Sequence, residues 1–398
     1  MMPIDLTATA ARDALAGVRR GAAAADLETY ARAVWSVLVE PGDGEAGALI
    51  AAHGAEEALR LAAADDSRDL RQARARWMPR LQRATISAAL HAARRAEAEL
   101  VVPGDADWPD RFRDLGAHAP VALWRRGGGQ DAAGPVVALV GARASTAYGE
   151  GVAADLAGDL AAAGVTIVSG AAYGIDGASH RAALSVGGTT VAFLAGGVDR
   201  PYPRGHETLL ARIAEAGAVW SETPCGAAPT KWRFLSRNRL IAAMADVVVV
   251  VEAGWRSGSL NTAAHAATLG RSLGAVPGPV TSAASAGCHR VLREYDGVCV
   301  TSAADVLEML GDDGSAVGGS SADRAAAAGT GEGRTDSTTR LFDALSSRSA
   351  RTLDDVARRS GLPREDARTL LGFAELEGRA VRDLDGSWRS VHRNAGTT

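Results

Sequence analysis

The chain has 398 residues, enough for two or three domains, and 47% of them are hydrophobic, which is typical of a globular protein. Its 43 basic and 47 acidic residues give a formal net charge of −4, which argues against a protein that coats nucleic acid over its whole surface. The three cysteines are odd in number and lack Cys-x-x-Cys spacing, and no stretch reaches the roughly 18 apolar residues of a membrane span, so we expect a cytoplasmic protein without a disulfide framework.

The first predicted domain spans residues 1–98, which are rich in alanine and follow a helical pattern. We predict helices over 22–39 and 45–61, separated by the Pro-Gly-Asp-Gly turn at 41–44. Several arginines lie between 71 and 83, but a run of this kind most often forms a solvated helix face. This region contains no arrangement of residues that indicates catalysis.

The second predicted domain, residues 99–310, alternates short valine-rich runs with segments of helical length. Strands that are apolar on both faces and separated by helices indicate a mostly parallel sheet covered on both sides. The predicted fold class is therefore α/β, with a Rossmann-like, doubly wound sheet. The predicted strands are 136–140, 165–168, 189–194, 218–220, 246–251 and 273–276.

A tract rich in Gly, Ser, Ala and Asp, residues 311–338, has no periodicity and is predicted to be a flexible linker. Residues 339–392 are predicted to form a C-terminal winged-helix-like domain. Its third helix carries four acidic residues and two arginines, so contact with a protein and weak contact with DNA are both open. The predicted elements are helices over 339–346, 353–359 and 364–377, and a hairpin over 381–391.

Small residues follow several of the predicted strands, at the edge of the sheet where open α/β folds bind their ligands. Small residues let backbone N–H groups approach a phosphate, and helix N-termini at this edge favour anions. Any one turn alone could be only a tight connection from strand to helix, but together the turns predict an anion-binding rim. The candidate binding residues of this rim are Arg143, Ser145, Ser169, Gly170, Ser257 and Gly258.

The nine residues 231–239 contain four cations, two aromatics and no acid, and they include the only lysine of the chain. Cations can contact phosphates while Trp232 or Phe234 stacks on an unpaired base, as at sites for single-stranded nucleic acid. A helix is predicted over 240–244. The last residues of the basic segment, 237–239, would therefore lie near the start of this helix, at the same edge of the sheet as the anion-binding rim. The alternative is a solvated loop before that helix. The candidate binding residues are Lys231, Phe234, Arg237, Asn238 and Arg239.

Other nucleotide chemistries lack essential parts in this sequence. The single lysine is not part of a Gly-Lys-Ser/Thr run, which excludes a Walker A ATPase, and the first strand is not followed by the G-x-G-x-x-G turn of dinucleotide enzymes. The Gly-x-Ser-x-Gly string at 270–274 precedes a strand, whereas a nucleophile elbow follows one. No cofactor and no metal site are therefore predicted.

Four polar residues could be chemically active, although structural roles are the simpler interpretation. Asp176 and His180 are four residues apart on a predicted helix and could support acid–base chemistry, or they could belong to the hydrogen bonding of the turn. Glu222 and Glu252 end two strands and could cap helices or pair with arginines. We predict pairing.

Several of these runs together resemble one family, the DNA-processing protein A (DprA, or Smf) family of bacterial recombination mediators. The resemblance covers about 103–310 and extends less specifically to the helical N-terminal region and the C-terminal region. It rests on the segments 140–145 (VGARAS), 148–149, 169–176 (SGAAYGID), 196–199, 202–203, 221–222, 234–242 (FLSRNRLIA), 251–253, 257–260, 262–263 and 277–278, with His180.

The resemblance implies a non-enzymatic protein that binds and protects incoming single-stranded DNA and helps load the RecA recombinase in natural transformation and homologous recombination. It also implies a homodimer formed through the Rossmann-like domain, a single-strand-binding protein as a further candidate partner, and an N-terminal domain of the sterile-alpha-motif or helix-hairpin-helix type. Arg143 matches the arginine of the first-strand turn. Lys231 and Phe234 match pocket residues, and 237–239 match an Arg-Asn-Arg run.

The alternative function is that of a nucleotide phosphoribohydrolase, a Rossmann-like enzyme similar to the cytokinin-activating enzymes. Such enzymes carry a Pro-Gly-Gly-x-Gly-Thr-x-x-Glu run whose glutamate is catalytic. The corresponding place here, 195–203, contains no glutamate. The sequence therefore favours the binding protein over the enzyme.

Overall fold

The structure is a computed structural model that describes residues 4–19, 27–64, 70–128, 134–311, 337–347, 349–376, 378–383 and 385–391. Within these ranges, no helix is both long enough and apolar enough to cross a membrane. Residues 312–336, most of the predicted linker, lie outside the described part of the chain.

The described N-terminal region is helical, as predicted. Its helices are α1 (Ala8–Leu15), α2 (Leu27–Leu38), α3 (Gly44–His53), α4 (Ala55–Ala63), α5 (Arg71–Trp77) and α6 (Arg83–Arg95). They enclose a core in which the buried rings of Trp35 and Trp77 meet edge to face, with centroids 5.0 Å apart. The single helix predicted over 45–61 is wrong, because Gly54 has a φ of 78° and separates α3 from α4. Glycine adopts this left-handed conformation without steric cost.

One sheet organises the middle of the chain. Its strands are β1 (Glu99–Val101), β2 (Leu123–Arg126), β3 (Val136–Gly141), β4 (Thr166–Ser169), β5 (Thr190–Phe193), β6 (Ala218–Ser221), β7 (Val247–Glu252), β8 (Ser272–Ala275) and β9 (Val298–Cys299). Their spatial order is β1-β2-β6-β5-β4-β3-β7-β8-β9. The strands from β6 to β9 in that order run parallel, and β1 and β2 add antiparallel pairs at one edge. All six predicted strands are present, and β1, β2 and β9 were not predicted.

Helices cover both faces of the sheet, which confirms the doubly wound, Rossmann-like prediction. They are α7 (Ala147–Ala162), α8 (Ile175–Ser185), α9 (Glu207–Ala216), α10 (Lys231–Met244), α11 (Ser259–Thr268), α12 (Ala286–Glu294) and α13 (Ala303–Gly311). Val136, Ala138 and Val140 of β3 belong to the core beneath α10 and α11, whereas Val137 and Leu139 belong to the core beneath α7 and α8. Both faces of β3 are buried, which explains why its sequence is apolar throughout.

The basic segment 231–239 forms the first turns of α10, so it is neither a loop nor the approach to a helix over 240–244. Thr230 caps this helix, and its Oγ1 accepts a hydrogen bond from the N–H of Arg233 at 3.4 Å. The helix therefore starts nine residues, about two and a half turns, earlier than predicted. Every side chain of the basic segment takes its direction from helical geometry.

The C-terminal region contains α14 (Ser337–Ala344), α15 (Leu353–Ser360) and α16 (Arg364–Leu376), followed by the antiparallel strands β10 (Ala380–Arg382) and β11 (Trp388–Ser390). It packs around a separate core that includes Leu341, Val356 and Leu371. Three helices and a hairpin are the predicted elements. Their assignment as a winged helix, and the domain boundaries along the chain, stay predictions.

Candidate nucleic-acid interface

A cleft of about 1190 Å³ opens at the ends of β3 and β7, and its walls are the turns after these strands, α10 and the start of α11. This is the carboxyl edge of the sheet, where open α/β folds bind their ligands. Seven of the eleven predicted binding residues line the cleft: Arg143, Lys231, Phe234, Arg237, Asn238, Ser257 and Gly258.

Helix geometry sets three of these side chains in a row along one wall. Lys231, Phe234 and Asn238 are separated by three and then four residues, the spacing that puts side chains on the same face of a helix. Lys231 is exposed, Phe234 is partly buried and Asn238 is buried. The wall therefore runs from an exposed cation, past an aromatic ring, to a buried amide.

Phe234 of α10 contacts two residues from nearby loops, Arg143 and Tyr202. The Cζ atom of Arg143 lies 4.5 Å from the centroid of the Phe234 ring, a cation–π contact. The ring of Tyr202, which is 45% exposed, lies 5.3 Å from the Phe234 ring and is tilted by 52°. Since Arg143 is itself exposed, the cleft presents a positive charge and a flat apolar surface at the same place.

Arg237 forms part of the buried floor of the cleft. Burial lowers its pKa to about 10, an effect that Asp176 opposes and Arg143 reinforces, so Arg237 stays charged at neutral pH. Its guanidinium donates to the carbonyl of Phe193 and lies against Gly170, where a Cβ atom would be 2.0 Å from Nη1. The N–H of Gly170 donates to the carboxylate of Asp176 at 3.2 Å. Gly170 therefore makes room for Arg237 and does not itself line the cleft.

Ser257 and Gly258 form the edge of the cleft just before α11. The carbonyl of Gly258 accepts a hydrogen bond from Nδ2 of Asn238 at 3.2 Å, and the hydroxyls of Ser257 and Ser259 are 2.7 Å apart. The N–H groups of Ser259 and Asn261 already donate within this turn. A phosphate at this wall would therefore depend mainly on side-chain cations rather than on these backbone groups.

Two predicted binding residues, Ser145 and Ser169, use their hydroxyls within the protein and do not line the cleft. Ser145 donates to Oε1 of Glu150 at 2.7 Å. Ser169 is fully buried and donates to the carbonyl of Leu139 at 2.6 Å. Neither residue is retained among the proposed contacts.

The opposite side of α10 faces the N-terminal region, and its polar side chains are paired there. Arg239 forms a buried ion pair with Glu222, with 2.7 Å between Nη2 and Oε2. Trp232 is 8% exposed and donates from Nε1 to Glu40 at 3.2 Å, and Arg233 lies 2.9 Å from the same carboxylate. Because Arg239 and Trp232 are buried away from the cleft, we remove both from the candidate contacts.

The cleft also contains residues that were not among the predicted contacts: Tyr202, Trp255, Arg256, Arg290 and Tyr295. Trp255 is 59% exposed, and Cζ of Arg290 lies 5.6 Å from its ring. Trp255 and Arg256 lie just after β7, at the carboxyl edge of the sheet where ligands bind. Their position in the sequence could therefore have identified them as cleft residues. Arg290 is on α12, and nothing in its local sequence indicates that it reaches the cleft.

The candidate acid–base pair has structural partners. Burial lowers the pKa of His180 to about 3, and its Nδ1 lies 2.7 Å from the hydroxyl of Thr190, so the ring is neutral and held in the core. Burial raises the pKa of Asp176, although nearby Arg237 and two backbone N–H groups oppose the shift. Among the described residues, no group of three or more His, Cys, Asp and Glu side chains is arranged to hold a metal ion.

The remaining candidate carboxylates are also engaged. Glu222 pairs with Arg239, as predicted, but Glu252 accepts the N–H of Thr146 at 3.0 Å and so supports the start of α7. Asp199 lies where a phosphoribohydrolase would carry its catalytic run, and its carboxylate accepts a backbone N–H at 2.9 Å. These contacts give the carboxylates structural roles.

Comparison with known proteins identifies the family. The model of the family described as DNA recombination-mediator protein A matches residues 99–311, more than half of the chain. The chain belongs to this family. A curated relative from Mycobacterium tuberculosis, described as a DNA processing protein DprA, is 47% identical over 314 residues, which cover 76% of this chain and 79% of that protein. Protein Smf of Escherichia coli is 42% identical over 175 residues, which cover 44% of this chain and 46% of that protein.

A solved structure agrees with the family assignment. The X-ray structure of DNA processing protein A from Streptococcus pneumoniae matches with a TM-score of 0.60 and 29% sequence identity, covering 71% of this chain and 97% of that chain. The family resemblance expected from the strand-end motifs and the basic segment is therefore confirmed, and the protein is a DNA-processing protein of recombination.

Proposed function

We propose that this DprA-family protein binds single-stranded DNA in the cleft, with Lys231 and Arg143 contacting phosphates and Phe234 stacking on a base. The main support for the proposal is one face of α10, on which the exposed Lys231 and the ring of Phe234 lie one turn apart. The exposed Arg143 lies over the same ring, with its Cζ atom 4.5 Å from the ring centroid. Cations beside an aromatic platform are the combination that single-strand binders use.

The proposed ligand is a single strand because of the aromatic ring. Bases in a duplex are stacked on one another, and their faces are not available to a protein ring, whereas an unpaired strand exposes them. Arg143, from the turn after β3, and Phe234, from α10, meet at one place, so a phosphate and its neighbouring base would be bound together. Asn238, Ser257 and Gly258 then shape the inner end of the cleft and Arg237 supplies charge from its floor.

The wider role that we propose is to protect incoming single strands and to help load RecA on them, without enzymatic activity. The family name, recombination mediator, and the DNA-processing relatives support a role of this kind. We further propose that the protein acts as a homodimer formed through the Rossmann-like domain. The domain limits proposed with it are 1–98, 99–310 and 339–392, with 311–338 as the linker.

The central test replaces Lys231 by alanine. We expect the affinity for a labelled single-stranded oligonucleotide, measured by fluorescence anisotropy against duplex competitor, to fall by about 1 to 3 kcal/mol, because a charge-assisted phosphate contact is lost. The salt dependence of binding should also become shallower, by about 0.7 in the logarithmic slope for each phosphate contact removed.

The matched control is Arg113→Ala. Its side chain is 71% exposed and lies outside the cleft, so this variant loses a cation without losing the proposed contact. If Lys231→Ala bound single strands as tightly as the wild type, or if the control lost as much affinity, the cleft assignment would be rejected. The same proteins can then be compared for RecA filament formation on strands covered by a single-strand-binding protein.

A further inference from the structure

A second cleft of about 810 Å³ lies at the junction of three parts of the chain. One wall comes from the end of α2 and from the start of α6, a second from residues 223–233, which lead into α10, and a third from α14, α15 and the turn between them. This cleft therefore exists only while the N-terminal region, the Rossmann-like region and the C-terminal region are docked together.

The second cleft is strongly basic. Among its described lining residues there is one acid, Asp343, against five arginines: Arg80, Arg233, Arg351, Arg358 and Arg359. Four of these arginines share two carboxylates, since Arg80 and Arg233 both contact Glu40 while Arg358 and Arg359 both contact Asp355. Positive charge therefore remains uncompensated in a chain whose net charge is negative.

Two of these arginines, Arg351 and Arg359, lie near one another and share a single nearby acid, Asp355. Burial lowers the pKa of Arg351, the positive charge of Arg359 lowers it further, and Asp355 only partly opposes this. The side chain of Arg359 is 51% exposed, so it is accessible from the solvent. An anion placed between these two guanidinium groups would relieve their repulsion.

The second cleft meets the first one. Thr230, the residue that caps α10, lines both clefts, and Lys231 beside it lines the first. The two clefts therefore share a border at the Lys231 end of the first cleft. Phosphates spaced along a single strand would match cations on both sides of this boundary.

We propose that the second cleft binds the sugar-phosphate backbone of the same single strand beyond the part held at Lys231 and Phe234. This inference rests on the proposed function of the first cleft. It assigns to the C-terminal region a direct DNA contact through the arginines of α15. It also makes the bound length of DNA depend on the docking of all three regions.

The test compares how tightly the full-length protein binds short and long single-stranded oligonucleotides. Arg358→Gln with Arg359→Gln removes two cations that are about half exposed, and Arg364→Gln with Arg368→Gln is the matched control on α16, where the side chains are 57% and 64% exposed. Binding of thymidine oligonucleotides of about 6 and about 30 nucleotides is measured over a salt series. We expect the first variant to bind the long strand roughly tenfold more weakly, with a shallower salt slope, and to bind the short strand like the wild type.

The outcomes separate this inference from the function on which it rests. If the wild type bound neither strand, both would be rejected. If the wild type bound both strands and Arg358→Gln with Arg359→Gln bound the long strand equally well, the second cleft alone would be rejected. Equal weakening on both lengths, or the same loss in the control, would also reject it. The single variant Arg359→Gln repeats the test with the least change to the fold.

Discussion

Neighbouring side chains within α10 have opposite functions because consecutive residues of a helix point to different sides. Lys231 and Phe234 face the first cleft, whereas the partly buried Arg233 and the buried Arg239 form ion pairs with acids near the N-terminal region. The cations of the basic segment are therefore not equivalent. Replacing a buried arginine leaves its partner carboxylate unpaired and reduces stability, whereas replacing Lys231 tests the proposed binding surface directly.

Phe234→Leu tests base stacking at the residue scale. Leucine keeps an apolar side chain of similar size but has no aromatic face, so we expect single-strand affinity to fall by about 1 to 3 kcal/mol, the range found for one stacked base. The substitution also removes the ring that Arg143 contacts, but the charge of Arg143 is retained. Binding is measured by fluorescence anisotropy with a normal strand and with a strand that has abasic sites.

The abasic strand is the control for this prediction. It retains the phosphates but offers nothing to stack on, so wild type and Phe234→Leu should bind it with nearly equal affinity. An equal loss on both strands would mean that Phe234 acts by shaping the cleft, and the stacking role would be wrong.

At the scale of the element, the sequence predicts the central sheet well because both faces of its strands are buried. Runs such as 136–140 and 246–251 contain almost only valine and other apolar residues, which leaves little ambiguity. The unpredicted β1 and β2 have three and four residues, and β9 has two. Length alone explains only β9, since β4, β5, β6 and β8 also have four residues and were predicted. The sequences of β1 and β2 contain charged residues, Glu99, Arg125 and Arg126, so they lack the continuous apolar run that identified the other strands.

The start of α10 was missed for a different reason. Its first nine residues are mostly polar on both sides, because one side forms the cleft and the other forms ion pairs near the N-terminal region. A helix between two polar environments has no apolar stripe in that part, so the periodic signal begins only at the apolar residues from 240 onward. The chemistry of the residues identified the segment as a candidate site. Without the helical periodicity, however, the sequence could not show which of its side chains face the cleft.

The start of α10 also gives a prediction about the C-terminal region. Asp343 of α14 accepts the N–H of Trp232 at 3.0 Å, and its carboxylate lies close enough to Lys231 to interact with its charge. Asp343→Asn keeps an oxygen acceptor but removes the negative charge. We expect single-strand affinity to rise roughly two- to tenfold at low salt, because the potential at the meeting point of the two clefts becomes more positive.

The control for this change is Asp366→Asn, an exposed position on α16 that lines neither cleft. The gain for Asp343→Asn should shrink as salt is added, since screening weakens the removed repulsion. No gain at low salt, or an equal gain in the control, would show that Asp343 does not oppose DNA at this boundary.

At the scale of the whole molecule, Glu40 joins the three regions. It follows α2, its carboxylate contacts Arg80 and Arg233, and it accepts a hydrogen bond from Trp232. Arg80 in turn donates to the carbonyl of Arg358 in α15, at 2.7 Å from Nη2. One buried carboxylate thus holds α10 and, through Arg80, the C-terminal region against the N-terminal region.

The charge of Glu40 links this junction to pH. Burial alone would raise the pKa of Glu40, but Arg233 and Arg80 together outweigh burial and hold the pKa at about 2, below its usual 4.5. A depressed pKa means that the stabilisation is complete above pH 4.5 and is lost as the pH falls toward 2. A shift of this size corresponds to about 3 kcal/mol of unfolding free energy.

Glu40→Gln should therefore destabilise the protein in a pH-dependent way. Near neutral pH, the variant leaves the buried Arg80 and the partly buried Arg233 without their acid, and we expect a loss of about 3 to 5 kcal/mol in the free energy of unfolding, measured by denaturant titration. At about pH 3 the difference should narrow, because the carboxyl of Glu40 is then largely protonated in the unfolded wild type while it is still ionised in the folded protein, so part of the wild-type stabilisation is lost. The control Glu57→Gln, at a side chain that is 52% exposed, should leave stability nearly unchanged. A difference between Glu40→Gln and wild type that stayed constant with pH would show that the carboxylate holds the junction through packing rather than through its charge.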